Sequence, residues 1–418
     1  MIDLKNIKVA WFLGSRQIKR ASIWTNVLIV IIMILTFLNL VVVSGLLVGL
    51  IEGSVNANKK YYTGDIIISK LKENNSILNS RSIIANIENT PGIKAYSARY
   101  LVSGRVESNY QSRTNFDDVP EEVGTIIVGV NPENENAVTN IQDLIIEGEF
   151  IESDDFDQVV LGAFLLEKYL DITSPGFLVL RNVEIGSKIR IKIGDSVREM
   201  TVKGITKGKV DETDRRIFMN DTQLRSMIGR SDLNVGEISI VTDSSTTPDR
   251  VRDILINNGL DQFAQIQTFE DAQPKFLLDI KRTFTLLGTI ISSIGLTVAA
   301  ITVFIVIFIN AITRRKYIGI MKAIGVDGKV LEMAYVFQSL IYAIIGSIFG
   351  LVLVYGLLIP YFDKNPINFP FSDGILVAPY GITTIRVMIL IIVTALAGYI
   401  PARIIIAKNT LDSILGRK

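Results

Sequence analysis

"RRKYIGIMKAIGV", residues 314–326, lies between two long uncharged runs, 283–313 and 333–362. Three consecutive cations open it and Gly325 stands near its end, so its reading decides how the flanking runs are arranged. If 315–324 is helical, Tyr317, Ile320, Met321 and Ile324 recur at i, i+3, i+4 and i+7 and form one apolar stripe. Arg315, Gly319 and Lys322 then share another face. Gly319 leaves room for close approach by a partner, Gly325 suits the left-handed end of a helix, and Asp327 can cap the helix that follows. By composition this is a membrane-surface helix whose cations obey the topology rule and whose stripe touches lipid; by shape it is equally an interface.

The flanking runs set the class. Residues 21–51 and 283–313 each hold 31 uncharged residues, where a spanning helix needs about 20. A third run covers 333–362, and a fourth covers 387–402, extending back to about 380 if Arg386 snorkels to the outer interface. The first run is too long for a signal-peptide core and reads as an anchor. Gly45 and Gly49 in the first run, and Gly346 and Gly350 in the third, have the GxxxG spacing that lets helices approach closely.

Charge divides along the chain although the net value is only +1. Residues 52–282 carry −9, while the two ends and the 314–332 loop together carry +10. Basic short loops stay cytoplasmic, so both termini and the 314–332 loop are expected inside and 52–282 outside. Residues 1–20 interleave Leu4, Ile7, Val9, Ala10, Phe12 and Leu13 with Lys5, Lys8, Arg16, Lys19 and Arg20, as an interfacial amphipathic helix does. Residues 363–379 then form a short external loop and 403–418 a cytoplasmic tail.

The 52–282 segment mixes strand and helix patterns. Ile189, Ile191 and Ile193 alternate, turn near Gly194-Asp195 and return as Met200, Val202 and Ile205, which predicts a hairpin with one buried face. Further strands are expected from Gly64, Lys94, Thr125 and Glu237, and helices from Ser82, Gly162 and Thr247, the last with Thr247 as cap, Pro248 in the first turn and Gly259 at its end. The fold class is an α-helical membrane protein with four transmembrane helices and a large, compact extracytoplasmic α+β domain, with room for two lobes, inserted between the first and second.

Absences narrow the chemistry. The chain has neither cysteine nor histidine, which removes disulfides, thiolate or imidazole metal ligands and Ser-His-Asp catalysis. It has no G-x-x-x-x-G-K-[ST] phosphate loop. The acidic cluster 147–157 lacks the spacing that wraps carboxylates around calcium, and with Asp117, Asp118, Glu121 and Glu122 it reads as solvated loop. No catalytic, cofactor or metal-binding residue is therefore expected in this chain.

The loop resembles that of the MacB/FtsX-like permeases, in which basic residues precede an E-I-G-I-x-[KR]-A-[IL]-G-A pattern. Ile318, Gly319, Ile320, Lys322, Ala323, Ile324 and Gly325 match it, while Tyr317 stands where the acid is usual and Val326 where a small residue is usual. The tail around Pro401, Ala402, Arg403, Ala407 and Leu411 is similar to the family ending, and "VVLGAFLLEKYL", "EIGSKIRIKI" and "REMTVKGI" resemble its exodomain succession. The resemblance implies the permease subunit of a mechanotransmission-type ABC transporter in the cell (inner) membrane, LolC/LolE-like or MacB-like, with Porter-like and inserted Sabre-like lobes. It implies two separate ATPase subunits that bind ATP and magnesium, a second permease subunit as homodimer or paralogous heterodimer, and contact with membrane lipid, but no nucleic acid. Arg314, Arg315, Tyr317 to Gly325 and Met321 among them would seat the ATPase. The implied task is release or export of a lipoprotein or other amphiphile. Two alternatives stay open: an FtsX-like signalling subunit that controls a cell-wall hydrolase without transporting substrate, and a membrane receptor without an ATPase.

Overall fold

The computed structural model describes residues 4–407 apart from 112–119, 171–177, 209, 274 and 370–371. The expectations for Asp117, Asp118 and the tail beyond Ala407, including Leu411, lie outside the described residues. The chain forms two compact units, one of residues up to 52, 278–368 and 373 onward, the other of 53–277 with 369–372.

Among the described residues an amino-terminal helix, Leu4–Arg20, precedes four helices long and apolar enough to cross a membrane, which supply most of the first unit. These are the first span Ile23–Thr63, the second Leu277–Thr313, the third Gly328–Lys364 and the fourth Tyr380–Ile406. All four outrun the uncharged stretches that announce them. A helix, once begun, adds a hydrogen bond for each residue fixed and continues through polar sequence, whereas the uncharged run marks only the part matched to hydrocarbon. π-helical turns interrupt the first span at Asn39–Val43 and the third at Val354–Leu358.

The two glycine pairs do different work. At Gly346 and Gly350 of the third span a β-carbon would collide with Met33 and with the Phe37 ring of the first, so here the spacing brings two helices together. Gly45 and Gly49 do not face a helix. They face the extended segment Ile375, Leu376 and Val377, whose Val377 N–H donates to the Gly45 carbonyl at 3.3 Å. The reading of that pair as a helix-packing site is thus corrected: the small residues admit backbone, and a strand-like segment needs the same space as a helix. The amino-terminal helix lies along the start of the third span, with Trp11 edge-on to Phe337 at 5.5 Å.

The second unit has ten strands among its described residues: β1 Ile66–Lys70, β2 Ile93–Glu107, β3 Glu122–Val130, β4 Ile145–Gly148, β5 Gln158–Gly162, β6 Lys188–Ile193, β7 Ser196–Thr206, β8 Arg216–Asn220, β9 Glu237–Thr242 and β10 Ala264–Thr268. One lobe orders its strands β10-β1-β9-β2, all antiparallel, with helices Ser80–Glu88 and Pro248–Asn257 in the connections. That is a split β-α-β-β-α-β arrangement. Between its second and third strands the chain leaves to build the other lobe. There β2 pairs β3, β3 pairs β8, β8 pairs β5, β5 pairs β7, β7 pairs β6 and β6 returns to β2, closing a six-stranded ring. Closure removes the exposed edges an open sheet would leave.

The 15-residue β2 belongs to both lobes, pairing β9 through Ile93 to Arg99 and β3 from Tyr100 onward. The hairpin β6–β7 is in the expected register, with Ile189, Ile191, Ile193, Met200, Val202 and Ile205 all buried. The helix expected from Gly162 is instead two 3₁₀ turns, Ala163–Leu165 and Glu167–Tyr169. Gly162 ends β5, and Leu166 is extended at φ −110° and bridges to Leu180, which breaks the helical repeat. Pro248–Asn257 starts and stops as expected, with Gly259 at φ +77°, but Thr247 makes no side-chain capping bond.

Candidate functional site

The loop between the second and third spans folds as a helix, Arg315–Ala323. Gly325 ends it at φ +97°, a conformation other residues seldom adopt, and Val326 N–H closes back on the Met321 carbonyl at 3.0 Å. Asp327 caps the third span as expected, its carboxylate accepting from Lys329 N–H at 3.0 Å.

Two faces of this helix have opposite fates. Ile318 is buried in a cluster with Ala311, Leu331, Ala402, Ile405 and Ile406, and Met321 and Val326 pack against it. Lys322 Nζ donates to the Ile406 carbonyl at 2.9 Å, meeting one of the unpaired acceptors at the end of the fourth span where a cation is favoured. The opposite face shows Tyr317, Ile320 and Ile324, 67%, 42% and 74% exposed. The four-residue stripe read from the sequence is thereby corrected, since Met321 turns inward. Gly319 is also buried by the chain itself. Arg314, Arg315 and Lys322 are half-buried and Ala323 is exposed. The arrangement is a short helix bolted to the second, third and fourth spans by one face, with an aromatic and two isoleucines left open on the other.

A second constellation, in the other unit, escapes sequence reading. Arg99 in the middle of β2 is 1% exposed and grips Glu135 with two parallel bonds, Nε to Oε2 at 2.8 Å and Nη2 to Oε1 at 2.7 Å. Its Nη1 donates to Glu237 at 3.0 Å and its Nη2 to the Tyr62 carbonyl at 2.8 Å. The Arg99 and Arg216 guanidiniums both approach the Tyr62 ring, 4.9 and 4.8 Å from its centroid, and its hydroxyl donates to Glu237 at 2.7 Å. Ser97 Oγ donates to Glu135 at 2.7 Å and Ser239 Oγ to the Tyr62 carbonyl at 3.0 Å. Burial works to raise the Glu237 pKa, but the Arg99 and Arg216 charges hold the carboxyl below the usual glutamate value. Two cations and two anions are thus matched around the end of the helix that carries Tyr62. The available signal was periodic: Ser97 and Arg99, like Glu237 and Ser239, alternate with apolar residues along their strands.

The acidic stretch 147–157 does not gather around one point. Glu147 pairs with Lys168, Asp155 with Lys203, and Asp157 accepts from Gln223. Nothing in these bonds brings the three carboxylates to a common centre.

Residues 289–410, which hold most of the second span, the loop helix and the last two spans, match the family model described as FtsX-like permease C-terminal. The ABC transporter permease YtrF of Bacillus subtilis (strain 168) is 24% identical over 251 residues, which is 54% of this chain and 56% of that protein. The chain thus spans about half the length of the curated relative it matches. Among solved structures, the extracellular domain of the noncanonic ABC-type transporter YknZ from Gram-positive bacteria is 16% identical with a TM-score of 0.32, covering 49% of this chain and 98% of that one. The periplasmic region of MacB from Actinobacillus actinomycetemcomitans is 12% identical with a TM-score of 0.34, covering 51% and 92%.

Proposed function

We propose, from the premise that this chain is an FtsX/MacB-like permease, that it is the membrane subunit through which a separate ATPase drives an extracytoplasmic domain. The single observation that carries the reading is the open face of the loop helix. Tyr317, Ile320 and Ile324 form an apolar pad whose supporting face is fixed by Ile318 and by the Lys322 bond to Ile406. A pad fixed to three spans passes displacement to all of them, where a mobile loop would absorb it.

The ATPase, in two copies, holds the ATP and magnesium; a second permease subunit completes the assembly. The basic amino terminus and the +10 charge of the ends and loop favour a cytoplasmic placement for both termini and for the pad, and the −9 segment then lies outside. The movement serves release or export of a lipoprotein or other amphiphile at the outer leaflet. Tyr317 in place of an acid makes the contact apolar and aromatic where an ion pair would otherwise form.

Purification of the chain with its ATPase tests this. Tyr317→Asp with Ile324→Asp is expected to release the ATPase while leaving the elution profile of the permease unchanged. Retention of the ATPase by that variant would overturn the docking site. Reconstituted complex that activates a cell-wall hydrolase upon ATP addition, with no acylated protein released, would overturn the transport task.

A further inference from the structure

Arg386 is a charge in the fourth span with no ion-pair partner among the described residues. The span begins at Tyr380, which puts the Arg386 backbone roughly 9 Å along the helix at 1.5 Å per residue. Among the described residues its hydrogen bond is to a neutral group: Nη2 donates to Ser44 Oγ of the first span at 2.6 Å. Glu52, two turns further along the first span, is taken by Lys281 at 2.8 Å. A guanidinium offers five N–H donors in a planar fork, and one bond to a hydroxyl leaves most of that capacity and all of the charge unanswered.

The surroundings fix the head group and leave one side open. Ser44 is 2% exposed, so it holds the guanidinium in toward the first span. An arginine that merely snorkelled to water would point away from such a partner. Tyr355 of the third span stacks on Tyr380 at 4.9 Å and hydrogen-bonds the Ala378 carbonyl at 2.9 Å and Thr383 Oγ1 at 3.0 Å, which secures the first turn of the span. On the helix surface around Arg386, Ile382, Ile385 and Ile389 are all exposed, forming a face suited to acyl chains.

An ionised group at this depth is costly unless an anion meets it. The anion that a bilayer supplies beside such a face is a phosphodiester, and guanidinium geometry matches its two oxygens. We propose that Arg386, positioned by Ser44, binds the phosphate of one membrane phospholipid, whose acyl chain lies along Ile382, Ile385 and Ile389.

The full chain, purified in a phosphate-free maltoside detergent and titrated with phosphatidylglycerol, is the test, with bound lipid counted by native mass spectrometry. Wild type is expected to retain a lipid that Arg386→Gln binds about tenfold more weakly, with Arg386→Lys between them because it keeps the charge and loses the fork. Ser44→Ala keeps the charge and is expected to weaken retention as well. Diacylglycerol, which lacks the phosphate, is expected not to be retained, and excess inorganic phosphate not to displace the phospholipid. Equal affinity in wild type and Arg386→Gln, retention of diacylglycerol, or displacement by free phosphate would each overturn the proposal, the last by identifying a free anion as the ligand. Since no ATPase enters the measurement, its failure is separate from failure of the docking pad.

Discussion

Around Tyr62 the side chains of Arg99, Arg216, Glu135 and Glu237 are turned toward one another and matched, whereas among the described residues the loop helix leaves Tyr317 and Ile324 largely exposed. The first is a closed joint. Its carboxylates and guanidiniums satisfy one another so fully that removal of one member leaves its partners charged and dry. The second is half a joint, complete on the Ile318 side and open on the other. A region that the chain completes alone acts as structure; one that it leaves half complete marks where another molecule supplies the rest.

That contrast can be broken most severely at Arg99. Arg99→Met leaves Glu135 buried without its cation and Glu237 with Arg216 alone, and is expected to destabilise the 53–277 unit by about 3–5 kcal/mol, read as lost hydrogen-exchange protection of the β2 and β9 amides. Full protection in the variant would mean that the joint is not what holds those strands. Next in size is Gly350→Leu, which drives a side chain into the Phe37 ring; overpacking of this kind costs about 1–3 kcal/mol and should appear as a lower melting temperature of the detergent-solubilised chain.

The acid limb sharpens the same point. The folded-state pKa of Glu237 is depressed, so its contribution is present above the ordinary glutamate value of 4.5 and is lost as pH falls below it. Exchange protection of β9 should therefore drop on acidification through that range, and Glu237→Gln should flatten the drop; an equally steep limb in the variant would remove Glu237 from the account. The smallest effect belongs to Thr247→Ala, which deletes no capping bond and should change stability by less than about 0.5 kcal/mol.

Much of this architecture is legible where the information is local. Alternation gives β6 and β7 their buried faces, uncharged length gives the four spans, and Gly325 and Asp327 punctuate the loop helix as their chemistry requires. What escapes depends on partners far away in sequence. Gly45 and Gly346 look alike, yet one receives the extended segment at Val377 and the other the helix at Met33. The pairing of β2 with β6 and β9 is likewise set by distant strands. Met321 and Ile324 both satisfy the apolar period of the loop helix, and the neighbouring span ends decide which is covered. The candidate site was thus readable as a helix with an apolar stripe, but not as to which part of the stripe remains open, and Arg99 was readable only as a polar residue out of place.

The most direct test of the open half-joint is ATP hydrolysis by the purified permease–ATPase complex carrying Ile324→Asp. A charge on the most exposed residue of the apolar pad should cut permease-dependent stimulation about tenfold or more, as loss of an interface anchor of about 2 kcal/mol does, with the melting temperature of the permease unchanged. Wild-type stimulation in that variant would contradict the account, because the face left bare by the chain would then not be the one the motor uses.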